Sequence, residues 1–171
     1  EYEKSLFEVI EKLVFKIHPS ISIFPSVLKV VNDFGMSKNF SATSKQNKLT
    51  TDQADFFKKI IHKCHSVLSK INISSIENKI MIPLIGVLSQ LDHYVETPFE
   101  IIEKLANYQL DKLSKTENKE FVLIFCSFLN FTRIKTEISD ILIDELYNRF
   151  EYSDNIKNIL RKKKVLDAKK L

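Results

Sequence analysis

Glycine is almost missing from this chain. Its 171 residues include two glycines, Gly35 and Gly86, four prolines and no tryptophan. All-β barrels and sandwiches need many special turns, and two glycines cannot supply them. The same scarcity excludes a glycine-rich phosphate loop. There are two cysteines, Cys64 and Cys126. Both fall inside apolar helical patterns and read as small buried hydrophobes in a reducing compartment rather than as a disulfide. No apolar run reaches the length of a bilayer span. The longest, Phe121 to Phe131, is broken by Asn130 and flanked by charges, so no membrane insertion is expected. No signal peptide is recognisable; the first residue is Glu1 rather than Met, which fits a processed form, such as one freed of an organellar presequence, and equally a fragment of a longer chain.

What remains is ordinary for a globular chain: 44% hydrophobic residues, 28% charged and a formal net charge of +4. A single domain over 1–171 is the expectation from length. A mildly basic balance tolerates a polyanion without demanding one. Lysine, isoleucine and asparagine are abundant, as an AT-rich coding sequence would make them, so lysine abundance alone carries little functional weight.

One phrase occurs twice, as Ser5-Leu-Phe-Glu-Val-Ile-Glu-Lys-Leu13 and as Thr97-Pro-Phe-Glu-Ile-Ile-Glu-Lys-Leu105. Repetition of this kind marks repeat architectures. The phrase reads as the start of one helix in a repeated two-helix unit. Residues 4–17 have helical spacing at Leu6, Val9, Ile10, Leu13 and Ile17, ended by His18-Pro19. Ser22 is the expected cap of the next helix, with Phe24, Leu28, Val31 and Phe34 on one face and Gly35 as the stop. Residues 36–50 lack any apolar period and are expected to form a mobile polar insertion.

After a capping box at Thr50 to Gln53, a helix is expected through Phe56, Phe57, Ile60, Ile61, Cys64, Val67 and Leu68. Ser74 with Glu77 offers another box before a helix through Leu84, Leu88, Leu91 and Tyr94. Pro83 should lie in its first turn or kink it. Thr97 at the cap, Pro98 at N1 and Glu100 at N3 make a strong start for the following helix. Thr116 should open a helix that is apolar nearly all round, the expected most buried element. Thr136 or Ser139 starts another, with Ile141, Leu142, Leu146 and Phe150 on its face. Ser153 opens the last, which runs into a basic extension over 161–171.

Two registers support a repeat. Phe24, Leu28, Val31 and Phe34 match Leu84, Leu88, Leu91 and Tyr94, and these match Ile124, Phe128, Phe131 and Ile134 forty residues on. Ile101, Ile102 and Leu110 match Ile141, Leu142 and Phe150, again forty on. The expected fold is all-α: a curved α-solenoid of about seven helices in stacked helix–turn–helix repeats. A unit of this size buries too little alone, so stacking supplies the core. An unpaired helix at each end would expose apolar residues such as Leu6, Phe7, Ile156 and Leu160 to a partner.

The inner helix Phe121-Val-Leu-Ile-Phe-Cys-Ser-Phe-Leu-Asn-Phe131, followed by Ile141-Leu-Ile-Asp-Glu-Leu146, resembles the heptatricopeptide-type repeats of FAST-kinase-like and RAP-domain proteins. The likeness covers roughly 75–160. Alanine is nearly missing where that family favours it, and no RAP domain is recognisable. The resemblance implies RNA processing, RNA stabilisation or a structural place in an organellar ribosome.

No constellation points to catalysis. His62 and His65 lie three apart on a helix, but zinc needs three or four ligands and no second cluster exists, so a surface histidine pair beside a buried cysteine is the reading. Glu8, Glu11, Glu100 and Glu103 sit near helix N-termini, where capping and the macrodipole explain them. No nucleophile elbow, triad context, metal site or cofactor signature is present. The strongest electrostatic feature is the tail: Arg161, Lys162, Lys163, Lys164, Lys169 and Lys170. With Lys45 and Lys48 of the insertion, these are the candidate phosphate contacts, positioning without reading sequence.

The expected function is therefore non-enzymatic. It is RNA-backbone binding, with ribosomal RNA and neighbouring proteins as partners in an organellar ribonucleoprotein such as a mitochondrial ribosome. No small-molecule substrate is expected, and outside a mitochondrion the chain would be cytoplasmic. The alternative is a protein–protein scaffold of HEAT-like or tetratricopeptide-like character.

Overall fold

The computed structural model describes residues 2–16, 20–39 and 51–150. Side chains are described for these except residues 2–4, 7, 16 and 34–39. Every regular element among them is helical. Seven α-helices follow in order: α1 Tyr2–Glu11, α2 Phe24–Asn39, α3 Thr51–Lys70, α4 Asn78–Leu91, α5 Phe99–Asp111, α6 Asn118–Asn130 and α7 Thr136–Arg149. Single 3₁₀ turns at Ile21–Ile23, Ile73–Ser75 and Leu113–Lys115 lead towards α2, α4 and α6. The chain divides into two compact units between Ile134 and Lys135.

In the first unit α4 packs against α2 on one side and α6 on the other, while α3 packs against α5. The apolar period decides which face each helix buries. Phe24, Leu28 and Val31 of α2, Leu84, Leu88 and Leu91 of α4, and Ile124, Phe128 and Phe131 at α6 are all in the core. These are matched register positions. The fourth position fails, because Tyr94 is 45% exposed, beyond the end of α4. Helix α1 continues into a π turn over Lys12–Lys16. Ile10 and Val14 are buried while Val9 is exposed.

Several caps differ from the expected ones. Ser20, not Ser22, closes the first 3₁₀ turn by accepting from the Ser22 N–H. Helix α2 runs through Gly35 to Asn39, over the first residues of the expected polar insertion, whose remainder, 40–50, lies outside the described residues. Asn72 Oδ1 accepts from Ser74 N–H and Oγ, which removes Ser74 from a capping box with Glu77. Glu77 and Glu117 are extended N-caps (φ −71°, ψ 145° and φ −66°, ψ 152°) without side-chain capping bonds. Thr116 ends the preceding 3₁₀ turn instead of opening α6. Pro98, with ψ 134°, is the N-cap of α5. Thr97 turns inward and is buried.

The approaches to α4 and α6 share one build, forty residues apart. Each has a 3₁₀ turn with a buried first residue (Ile73, Leu113), a buried residue after it (Ile76, Thr116), then Glu-Asn-Lys entering the helix. Helix α5 is tied to the first of these turns. Tyr108 Oη donates to the Ile76 carbonyl at 2.6 Å, and the Lys112 ammonium donates to Tyr108 Oη. Lys104 Nζ donates to the carbonyls of Leu68 at 3.0 Å and Ile71 at 2.7 Å. A cation there satisfies carbonyls at the α3 C-terminus and complements its dipole.

The most buried helix is α4, not α6. Met81, Leu84, Ile85 and Leu88 are fully enclosed, and Ser89 and Leu91 nearly so. Helix α6 leaves Val122 (39%) and Leu123 (52%) open, and Cys126 is exposed. Cys64 is buried as expected, and burial pushes its thiol pKa up.

In the second unit α7 buries Ile138, Leu142 and Leu146 at fourfold spacing and exposes Ile141 at 46%. The expected pairing of Ile101 with Ile141 therefore fails. Counted from the helix starts, Ile101 and Leu105 of α5 stand at the same places as Ile138 and Leu142 of α7, thirty-seven residues on rather than forty. The connection 131–135 is shorter than 92–98, and α6 is one residue shorter than α4, which together account for the slip.

Candidate functional site

An open groove of about 970 Å³ lies along α4 and α6. Helix α4 contributes Ile82, Pro83, Gly86, Ser89 and Gln90, with His93 and Tyr94 just beyond its end. Helix α6 contributes Leu123, Cys126, Ser127 and Asn130. The positions pair forty residues apart: Pro83 with Leu123, Gly86 with Cys126, Gln90 with Asn130. The helices run parallel, since successive contacts climb both together. A Cβ on Gly86 would stand 3.5 Å from Ser127 Oγ. Asn130 Nδ2 donates to the Ser89 carbonyl at 3.0 Å, and Thr132 bonds to Asp92.

Local sequence explains the groove's shape. Gly86, Ser89, Cys126 and Ser127 are small, so the helix surfaces are low where they meet. Pro83 lies in the second turn of α4 and has no N–H for the Lys79 carbonyl. The Ser89 hydroxyl is turned back on the Gly86 carbonyl at 2.8 Å, and that of Ser127 on the Leu123 carbonyl at 2.7 Å. Two amides remain at the surface. Gln90 Oε1 accepts from Asn32 Nδ2 at 2.8 Å, which joins α2 to α4. Asn130 Oδ1 lies 3.5 Å from His93 Nε2.

The end of the groove is fixed by Asp92, which is 4% exposed. Its Oδ1 accepts from the Thr97 N–H at 2.6 Å, and its Oδ2 from the Thr132 N–H at 2.8 Å and hydroxyl at 2.5 Å. Burial alone would raise its pKa. The hydrogen bonds from Thr132 and Thr97 outweigh that and hold it below the ordinary carboxylate value. One carboxylate thus clasps the turns that follow α4 and α6. Its place at the end of α4, where the dipole disfavours an anion, was a sequence signal of a special role.

His65 is buried, against the expectation of a surface histidine pair. His62 is exposed and its ring meets that of His65 edge-on at 6.1 Å. Burial, with a smaller push from His62, lowers the His65 pKa to about 4 against an opposing pull from Asp92. Neither ring nitrogen has a hydrogen-bond partner. Among the described residues no group of three His, Cys, Asp or Glu could hold a metal ion. Nor is any helix among them long and apolar enough to cross a membrane.

The expected phosphate contacts Arg161, Lys162, Lys163, Lys164, Lys169, Lys170, Lys45 and Lys48 lie outside the described residues, as do Ile156 and Leu160. So does the side chain of Phe7, while Leu6 is half-buried on α1. The groove brings together residues that sequence reading did not select. Gln90 and Asn130 stand sixty and a hundred residues after the exposed Val30 of α2, in the same register as the core positions. Extending that register to the opposite helix face would have found them. No protein-family model matches this chain, no curated protein does, and no solved structure does.

Proposed function

We propose that this chain is a non-enzymatic helical-repeat scaffold whose first unit stacks two-helix units of about forty residues and binds a protein partner along the α4–α6 groove. The observation that carries this reading is the character of the groove. It is open, largely apolar at Ile82, Pro83, Leu123 and Cys126, and lined by no Lys, Arg, Asp or Glu. The common build before α4 and α6 supports the repeat. An uncharged groove offers phosphate nothing to neutralise. Residues 51–150 as a whole carry 12 Lys and Arg against 14 Asp and Glu. Exposed apolar surface of this kind favours polypeptide. A photo-crosslinking amino acid at position 123, in cells, tests the reading. Polypeptide adducts that disappear when Gly86→Leu fills the groove are expected. Adducts to RNA, or adducts indifferent to Gly86→Leu, would overturn it.

RNA binding is the second reading, and the charge distribution favours it. Residues 151–171 carry seven Lys and Arg against three Asp and Glu. A tail of that charge would give affinity that falls steeply with salt. The two readings coexist in a ribonucleoprotein, for instance an organellar ribosome, where the tail meets RNA and the groove a neighbouring protein. Binding to a structured RNA across a salt series, beside a variant lacking 161–171, tests it. The expected result is a steep slope that flattens on truncation.

A further inference from the structure

Building on the scaffold reading, we propose that the occupant of the α4–α6 groove is an extended, uncharged polypeptide segment that lies across the helices and pairs its backbone with Gln90 and Asn130. The hydrogen-bonding inventory carries this. Gln90 Oε1 is taken by Asn32, which leaves its Nε2 as a donor at the surface. Asn130 Nδ2 is taken by Ser89, which leaves its Oδ1 as an acceptor with only a long approach from His93. One amide thus offers N–H and the other C=O, the complement of a peptide unit.

A bound helix satisfies its own backbone and would cover both amides without pairing them, which costs free energy. An extended segment has free N–H and C=O groups to spend, as in strand addition to a sheet edge. The spacing agrees. Packed helix axes lie about 8–10 Å apart and an extended chain rises about 3.3 Å per residue, so Gln90 and Asn130 meet backbone groups about three residues apart. One more helix spacing reaches the exposed Val30 of α2, giving a segment of about six to eight residues.

Charge agrees as well. No Lys, Arg, Asp or Glu lines the groove, and Arg133 and Glu96, each next in sequence to a threonine that Asp92 holds, are paired with each other. The low floor at Gly86, between Pro83 and Leu123, is the place for one apolar side chain of the segment.

The test is selection of a display library of capped, randomised eight-residue peptides on the full chain, with a library of stapled helical peptides run in parallel. Enriched extended peptides without charge are expected. Their affinity should fall at least tenfold with Gly86→Leu, with Asn130→Leu and with N-methylation of the peptide backbone. Thermal melts check that each variant folds. Leu123→Arg, at an exposed site, serves as the blocking change should Gly86→Leu not fold. No enrichment from either library, or binding unaffected by these changes, would overturn the proposal. Groove-dependent binding by the helical library alone would overturn the extended segment while leaving the scaffold reading intact.

Discussion

Helices α4 and α6 begin alike and end differently in their surroundings. Each follows a 3₁₀ turn and a Glu-Asn-Lys entry, and each ends at the Asp92 clasp. Yet α4 is enclosed around most of its circumference, whereas α6 shows Val122, Leu123 and Cys126 to the outside. Their sequences suggest the opposite, because α6 is the one with the nearly continuous apolar run. Periodicity identifies the face a helix buries; the number of neighbours decides how much of the rest is covered. Apolar residues left over once the core face is filled are the raw material of a docking surface.

The largest effect expected from this contrast is in the core. Leu88→Ala in α4 should cost about 2–5 kcal/mol in denaturant unfolding, since the side chain is fully enclosed. Asp92→Ala should cost about 3 kcal/mol, because it strands the buried Thr97 N–H and the half-buried Thr132 N–H, and it should splay the two turns. Hydrogen exchange at those two amides checks the second point.

Acid should act through His65. Its folded pKa, about 4, lies below the ordinary 6.5, so the unfolded chain takes the proton first. Its share of stability is intact above about pH 6.5 and is lost as pH falls, reaching about 3 kcal/mol by pH 4. His65→Leu should flatten the urea-midpoint profile over that window. Asp92 works lower, since its folded pKa is depressed and its contribution goes only as pH falls through that value. Lys104→Met should cost about 1 kcal/mol by uncapping α3, seen as faster amide exchange in its last turn. The smallest effect belongs to the groove. Leu123→Ala should change stability by less than about 0.5 kcal/mol while weakening the partner.

Much of the fold could be read from residues alone. The all-α class and the positions of α3 to α7 follow from apolar spacing, and so do the core triads of α2, α4 and α6, which recur at sixty and then forty residues. Helix ends were harder. Gly35 looked like a stop, yet glycine ends a helix only where the chain turns, and α2 continues through it. Ser74 and Thr97 had the right side chains for caps, but Asn72 and Asp92 accept from their N–H groups, the donors that Glu77 and Glu100 would take in a capping box. The slip between Ile141 and Ile138 came from a shorter connection and a shorter α6, neither of which apolar spacing encodes. The groove was least legible. It is made of residues that look unremarkable singly, and only the pairing of α4 with α6 puts Gly86 beside Ser127 and Ser89 beside Asn130.

The most direct measurement is thiol accessibility in the folded full chain, since Cys64 is enclosed in α3 and Cys126 lies exposed on the groove face of α6. Native protein treated with N-ethylmaleimide and mapped by mass spectrometry should carry one adduct, at Cys126 in the groove, with Cys64 reacting only after denaturation. Labelling of Cys64 in the native state, or protection of both thiols, would contradict an enclosed α3 core and an open α4–α6 groove.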